Sequence, residues 1–560
     1  MKIITRHVSA DSQARLEASG LHPVTARIYA SRGIETPEEL ATDLRHLLPP
    51  EGLKGIGDAA SRLADAIRDG ERMLVVADYD ADGATACATA IRGLRGLGAV
   101  VDFIVPNRFE YGYGLTPEIV DLAAQQSPDL IVTVDNGIAS APAVRHARAK
   151  GIDVLITDHH LPGDELPEAL IVNPNQPGCT FASKSLAGVG VMFYTLLATR
   201  AEMRKRGVFE GKTEFNLAEL LDLVALGTVA DVVRLDANNR ILVEQGLRRM
   251  RAGRAQPGIA AIFTAAGRDI RRASAGDLGF MIGPRLNAAG RLDDMSLGIA
   301  CLTSDNHEAA LEMARELDRL NRERRAIEQD MQEVAQARID AIAVGDAFSL
   351  TVFDEDFHQG VVGLVASRLK DKHHRPVMVF AEGMHGEIKG SGRSIPGLHL
   401  RDAIDLVAKR HPDMISKFGG HAAAAGLTLS GRQVEAFRAA FEQVCRELMD
   451  PSALTRQIET DGALDVQDMT LELAEQLERC VWGQGFPAPK FAGRFRVAQQ
   501  RLVGSKHLKL KLLGEGGVML EAMRFQHAEP LPDQIEAVYQ LTVNEYQGNR
   551  TVQLLLEQCN

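Results

Sequence analysis

The sequence predicts a multidomain α/β protein: two α/β domains joined by a long helix, followed by a C-terminal β-barrel. Three observations predict it. Short β-rich runs alternate with helix-length stretches between about residues 73 and 172, a charged segment free of Gly and Pro begins near residue 306 at helical spacing, and the last hundred or so residues alternate apolar and polar positions. A chain of 560 residues is longer than one hydrophobic core organises, and 45% apolar with 25% charged residues is ordinary for folded domains.

Taken in order, residues 1–70 show helical spacing broken at Pro23, Pro37 and Pro49-Pro50, which predicts a helical N-terminal extension. The runs MLVVA (73–77), VDFIV (101–105), LIVTV (130–134), VLIT (154–157) and ALIV (169–172) then predict a parallel, doubly wound sheet in a domain spanning 71–305. Leu317, Leu320, Ile327, Met331, Val334 and Ile342 share one face of a connecting helix over 306–345. A second α/β domain, 346–450, has strand-like LTVF (350–353) and VMVF (377–380), with turns expected at Gly390-Ser391-Gly392 and Gly419-Gly420. The segments FRVAQQRLV, HLKLKLL, AVYQLTV and TVQLLLE have the period of half-buried antiparallel strands, and a small barrel such as an OB-fold fits 451–560.

No apolar run approaches the length that spans a bilayer, and MKIITRHVSA lacks the apolar core of a signal peptide, so a cytoplasmic protein without membrane attachment is expected. Cys87, Cys179, Cys301, Cys445, Cys480 and Cys559 are scattered, with no CxxC pair. Any metal must be held by oxygen and imidazole. The net charge of −12 argues against nonspecific nucleic-acid binding by the chain as a whole, but charge is unevenly distributed. Residues 490–513 carry seven positive side chains and no acidic one, and residues 240–272 carry eight arginines against Glu244 and Asp269. In the first of these stretches strand alternation favours a core position for Phe491 and Phe495. Arg494, Arg496, Lys506, Lys509 and Lys511 are then the nucleic-acid-binding candidates.

The chemistry collects where apolar runs end. The first strand runs into Asp78-Tyr79-Asp80-Ala81-Asp82-Gly83, later ones into Asp135-Asn136-Gly137 and Asp158-His159-His160, and the apolar run LLDLVALGTVA ends in Asp231. One aspartate at such a place is most often a helix N-cap. Their recurrence at one sheet edge would be repulsive unless cations neutralised it, and oxygen-rich sites with one or two imidazoles suit Mn²⁺ or Mg²⁺. Two such ions sharing a bridging carboxylate hydrolyse phosphate esters or anhydrides. A rival reading makes Asp80 the nucleophile of a haloacid-dehalogenase-type phosphatase, which leaves Asp158-His159-His160 without a role.

With these motifs the chain resembles the DHH phosphoesterase superfamily, and within it the RecJ family of single-strand-specific 5′-exonucleases. The likeness runs through LRHLLPPEGLKGIGDAASRLADAI, DYDADG, PNRFEYGYGL, TVDNG, TDHH, LAGVGV, ALGTVADVV and IGPRLNAAGR, then HQGVVGLVASRL, GSGRS and FGGHAAAAG. The resemblance implies a DHH domain and a DHHA1 domain around a cleft, with an OB-fold behind them. It implies two Mn²⁺ or Mg²⁺ ions ligated by Asp80, Asp82, His159 and Asp231, with Asp135 bridging, His160 facing the scissile phosphate and Asp158 orienting the histidines. Arg108, Arg285, Asn287, Arg291, Ser391, Arg393 and His421 become candidates for the strand's phosphates. His358 reads equally well as a core or capping residue.

Pyrophosphatase relatives carry a ligand histidine where this chain has Val76, so one metal site is either weaker or completed by Asp78. Val481-Trp482-Gly483-Gln484-Gly485-Phe486-Pro487 also departs from the family's usual Pro-Phe-Gly-x-Gly-Asn-Pro, which puts a specific role for Trp482 in doubt. The implied activity is 5′→3′ exonucleolysis of single-stranded DNA to 5′-mononucleotides in repair and recombination. A monomer, with a single-strand-binding protein and a helicase as partners, is the implied setting. The alternatives are a DHH phosphodiesterase or pyrophosphatase for small phosphoanhydrides, cyclic dinucleotides or short RNA, and a noncatalytic single-strand-binding replication scaffold.

Overall fold

The structure is a computed structural model of the 560-residue chain, and it describes every residue except Met1, 108–110, 112–113, 341–344, 384–386, 432 and 547. Backbone proximity groups the chain into two compact units, Thr5–Asp318 with Glu459–Asn560, and Met1–Ile4 with Arg319–Ile458.

The first unit holds a five-stranded parallel sheet in the order Val100–Ile104, Arg72–Ala77, Leu130–Val134, Asp153–Thr157, Leu170–Val172. Central strands are buried on both faces, which is why they read as continuous apolar runs rather than alternating ones. The chain leaves Arg72–Ala77 toward one edge and later returns on its other side as Leu130–Val134. The crevice between the carboxyl ends of these two strands is therefore the topological switch point, where open α/β sheets bind ligands. LLDLVALGTVA is not a strand. It forms the helix Leu221–Ala230, buried almost all round, and an apolar run of this length does not distinguish a buried helix from a strand.

The C-terminal strands Phe491–Val503, His507–Leu513, Met519–Arg524, Gln534–Tyr546 and Asn549–Cys559 close into a barrel. Met519–Arg524 runs parallel to Asn549–Cys559 and the other pairs are antiparallel, the connectivity of an OB-fold. Phe491 and Phe495 lie inside, as alternation favoured, beside Leu510, Leu512 and Tyr539. The same core contains Val24 and Ile28 from the helix Pro23–Ala30, and Leu473 and Leu477 from the helix Leu471–Arg479.

Trp482 has a structural role. Its ring stacks on Tyr29 (5.8 Å) and Phe486 (5.5 Å), Arg32 lies over its face, and its Nε1 donates to the Leu477 carbonyl at 2.7 Å. Arg240 covers Phe486, and Leu235 donates its amide to Gln484. Trp482→Ala is expected to cost about 2–4 kcal/mol, from lost stacking and a half-filled gap. Urea unfolding followed by circular dichroism measures it.

The second unit holds a five-stranded mixed sheet in the order Ile415–Gly420, Ala424–Leu429, Ile388–Arg393, Val377–Glu382, Leu350–Asp354, parallel only in its last pair. Here the structure corrects the sequence reading. Gly390-Ser391-Gly392 and Gly419-Gly420 lie in strands, not turns. A Cβ on Gly390 would stand 2.4 Å from Phe380, and one on Gly392 2.2 Å from the Met378 sulfur. These glycines let one strand pass over large side chains of the next. A single helix runs from His307 to Asp340. Among the described residues no helix is long and apolar enough to cross a membrane.

Candidate metal centre

Asp78 follows directly on Arg72–Ala77, and Asp80 forms the N-cap of the helix Ala81–Gly96, its Oδ1 accepting from the amides of Asp82 (2.9 Å) and Gly83 (3.0 Å). Capping, the ordinary role of one aspartate, thus uses only one oxygen. The turn closes because Asn287 Oδ1 accepts the Ala81 amide at 2.8 Å, and because Gly290 lies so close that a Cβ there would be 1.9 Å from the Tyr79 carbonyl.

Asp82 is fully buried. Its two oxygens accept the amides of Gly188 (2.6 Å) and Val189 (2.9 Å), the first residues of the helix Gly188–Lys205, whose positive end favours a carboxylate. This contact was missed in the sequence; Gly188 also packs against the neighbouring carboxylate, where a Cβ on it would be 2.6 Å from Asp135 Oδ1. Asp135 follows Leu130–Val134 with φ +62°, a left-handed conformation that costs on the order of 1–2 kcal/mol outside glycine. Such strain persists where the surroundings impose it.

Three sets of potential ligand atoms each lie within 4.8 Å of one another: Asp78, Asp80 and Asp135; Asp82, His159 and Asp231; and Asp135, His159 and His160. His159 Nε2 is 3.1 Å from Asp135 Oδ1, 3.5 Å from Asp231 Oδ2 and 3.9 Å from Asp82 Oδ2. Asp135 Oδ1 and His159 Nε2 are buried and lack hydrogen-bond partners, a condition that a shared cation resolves. Asp158 is buried beside them. Its Oδ2 accepts from the Ile138 amide at 2.9 Å, and its Oδ1 engages His160 Nδ1 at 2.8 Å.

The electrostatics agree. Burial and then the charge of Asp80 push Asp82 up to about 7, against the lowering effect of the Gly188 and Val189 amides. Burial and mutual repulsion hold Asp135 and Asp231 well above the usual carboxylate range. Burial lowers His159 to about 4, so its imidazole is neutral and ligand-ready. For His160 burial is outweighed by the hydrogen bond and charge of Asp158, with Asp78 and Asp80 adding, and it rises to about 9. The donor set fits a pair of divalent cations that prefer oxygen and accept imidazole.

Raised carboxylates keep their protons to higher pH, and a cation must displace them. The stability these protons lend the metal-free fold is complete below the ordinary carboxylate pKa and lost as pH rises through about 7. Mn²⁺ affinity is therefore expected to tighten about tenfold or more per pH unit between roughly 5.5 and 7, levelling off at higher pH. Calorimetry in buffers of different ionisation enthalpy measures both the affinity and the protons released.

The remaining predicted residues are more dispersed. Arg285 is 5% exposed and paired with Asp318 at 2.8 Å, which makes it a packing residue rather than a surface available to a phosphate. Asn287 serves the Asp80 turn, and Arg291 stands half-buried in the last turn of Gly283–Leu292. Arg108 lies outside the described residues. In the second unit Arg393 is half-buried against Ser391 Oγ (3.2 Å) and the Gly392 carbonyl (2.8 Å), while His421 is exposed. The strand position of residues 390–392 replaces the phosphate-cradling turn expected there, because their backbone is committed to the ladder. On the barrel Arg494, Arg496, Lys506 and Lys511 are exposed, and Lys509 pairs with Glu521 at 3.0 Å.

Known proteins resemble both the parts and the whole. The DHH family, N-terminal domain, matches residues 72–228, the DHHA1 domain 345–447 and the RecJ OB domain 460–558. The single-stranded-DNA-specific exonuclease RecJ of Salmonella typhimurium is 49% identical over 567 residues, covering 99% of this chain and 98% of its own length. The crystal structure of RecJ in complex with Mn²⁺ from Thermus thermophilus aligns with a TM-score of 0.82 at 30% identity, over 100% of this chain and 79% of that one. Its Mg²⁺ complex gives 0.77 at 28% identity, over 100% and 78%. With DHH, DHHA1 and RecJ OB matches along the chain, and 49% identity over nearly the whole length of both proteins, the chain belongs to the RecJ family.

Proposed function

We propose that the chain is a metal-dependent exodeoxyribonuclease that degrades single-stranded DNA from the 5′ end and releases 5′-mononucleotides. The observation that carries this reading is the buried carboxylate-imidazole cluster at the switch point, in a unit that also bears an OB-fold with exposed basic side chains. Asp78 and Asp80 would hold one cation and Asp82, His159 and Asp231 the other, with Asp135 within reach of both groups. A bound pair of divalent cations, Mn²⁺ or Mg²⁺, supplies charge neutralisation of the phosphodiester and a more acidic attacking water. Asp158 fixes the His160 ring through Nδ1, and its charge favours the protonated imidazole, which would neutralise a phosphoryl oxygen as charge builds. Arg291, Arg393 and His421 contact the strand's phosphates. Arg494, Arg496, Lys506, Lys509 and Lys511 track its backbone.

The enzyme works as a cytoplasmic monomer in repair and recombination, on strands delivered by a helicase and a single-strand-binding protein. A small-molecule phosphodiesterase would have no use for the basic barrel. A noncatalytic scaffold would not need the complete ligand set.

The test is digestion of end-labelled single strands with 5′-phosphate, 5′-hydroxyl or 3′-blocked ends, in Mn²⁺ and in Mg²⁺. Mononucleotides should appear from 3′-blocked strands in either metal. Protection by the 3′ block would overturn the polarity, and hydrolysis of dinucleotides but not of longer strands would favour the small-substrate reading.

A further inference from the structure

Asp135 carries the strained backbone on which the site's two halves depend, and the residue after it has no assigned part. Asn136 is 2% exposed. Its Nδ2 donates to two carbonyls at once, Val76 (3.1 Å) and Val134 (2.9 Å). Val134 ends its strand and Val76 is the last residue but one of its own, and these two strands flank the switch point. One primary amide thus ties both strand ends together beneath the site.

The turn is braced from below as well. Thr157 Oγ1 donates to the Thr133 carbonyl at 2.8 Å, and Thr133 Oγ1 donates to the Asn136 carbonyl at 2.7 Å. Gly137, at φ +113°, packs so tightly over Thr133 that a Cβ there would lie 2.6 Å from its hydroxyl. Beyond it the Ile138 amide donates to Asp158, which in turn holds His160. A single four-residue turn therefore sets the bridging carboxylate at one end and the orientation of His160 at the other.

We infer that Asn136 is a positioning residue: its clamp on Val76 and Val134 holds Asp135 in the left-handed conformation that places its carboxylate between two cations, and keeps His160 in register with them. The inference rests on the two-cation reading above. Without the clamp the turn relaxes toward ordinary backbone, Asp135 is drawn toward one half of the cluster, and the second ion loses a ligand. An aspartate cannot substitute, because its carboxylate would face two carbonyl oxygens with no proton to donate.

The test is calorimetric titration of the full-length chain with Mn²⁺, with strand hydrolysis measured in parallel. The wild type should take up two ions. Asn136→Ala should bind the first nearly normally and the second about 10–100-fold more weakly, the range seen when a ligand's support is lost. Its kcat should fall while KM for a long strand stays unchanged, and Asn136→Asp should do no better. Two ions at wild-type affinity with unchanged kcat in Asn136→Ala would overturn the inference. Uptake of a single ion by the wild type would instead overturn the two-cation reading.

If Asn136→Ala does not fold, Thr133 decides. Thr133→Val keeps the shape but loses the bond to the Asn136 carbonyl and should weaken the second ion, while Thr133→Ser should restore it. Equal binding by the two Thr133 variants would count against the inference.

Discussion

Asp135→Asn should abolish manganese-dependent hydrolysis of single strands, lowering kcat on the order of 10³-fold or more, while making the metal-free protein harder to unfold. The first effect follows because Asp135 belongs to ligand sets on both sides of the cluster, so its loss disables both cation positions. The second follows because burial and the charges of Asp82, Asp80, Asp231 and Asp78 all oppose its ionisation. Removing that charge relieves about 1–3 kcal/mol at pH 8, and asparagine accepts the left-handed backbone. Single-turnover kinetics and the unfolding midpoint in EDTA read the two effects. A variant that was inactive and also less stable would mean the carboxylate supports the fold rather than the ions.

The second large effect lies on the barrel. Replacing Arg494, Arg496, Arg501, Lys506 and Lys511 together by glutamine should weaken binding of long single strands by about 10²–10³-fold at moderate salt, and flatten the dependence of log affinity on log salt by roughly 0.7 per lost phosphate contact. All five are exposed, so the fold should tolerate the change. Hydrolysis of a dinucleotide, which offers a single phosphodiester and little backbone to track, should be unaffected. Substitution is preferable to truncation, because Val24 and Ile28 are buried in the barrel's core and its removal would lay them bare. Fluorescence anisotropy across a salt series measures both quantities.

The catalytic edge was legible because period and position coincide. Each parallel strand is a run of apolar residues whose end is marked by polar ones, so Asp78, Asp135 and Asp158 announce the carboxyl edge without any knowledge of packing. Asp231 was found for a partly mistaken reason, since the run before it is a helix. Legibility failed where the deciding partner is distant in sequence. Arg285 in IGPRLNAAGR looks available to a phosphate until Asp318 is seen paired with it in the interior, and Gly390 and Gly392 look like a turn until Phe380 and Met378 are seen beneath them. Trp482 gave no local signal, because its ring completes a stack begun at Tyr29. The amides of Gly188 and Val189, which hold Asp82, leave no side chain to read.

The helix Pro23–Ala30 has a consequence for biosynthesis. Its residue Arg27 donates to the carbonyl of Ala463, 436 residues later, and Val24 and Ile28 share a core with barrel strands later still. At ~5–20 residues per second, this helix waits roughly 20–90 s on the ribosome before its covering exists. Until then Val24, Ile28 and Tyr29 lack the barrel and Trp482 contacts that bury them in the folded chain. The barrel thus closes over a helix made more than four hundred residues before it.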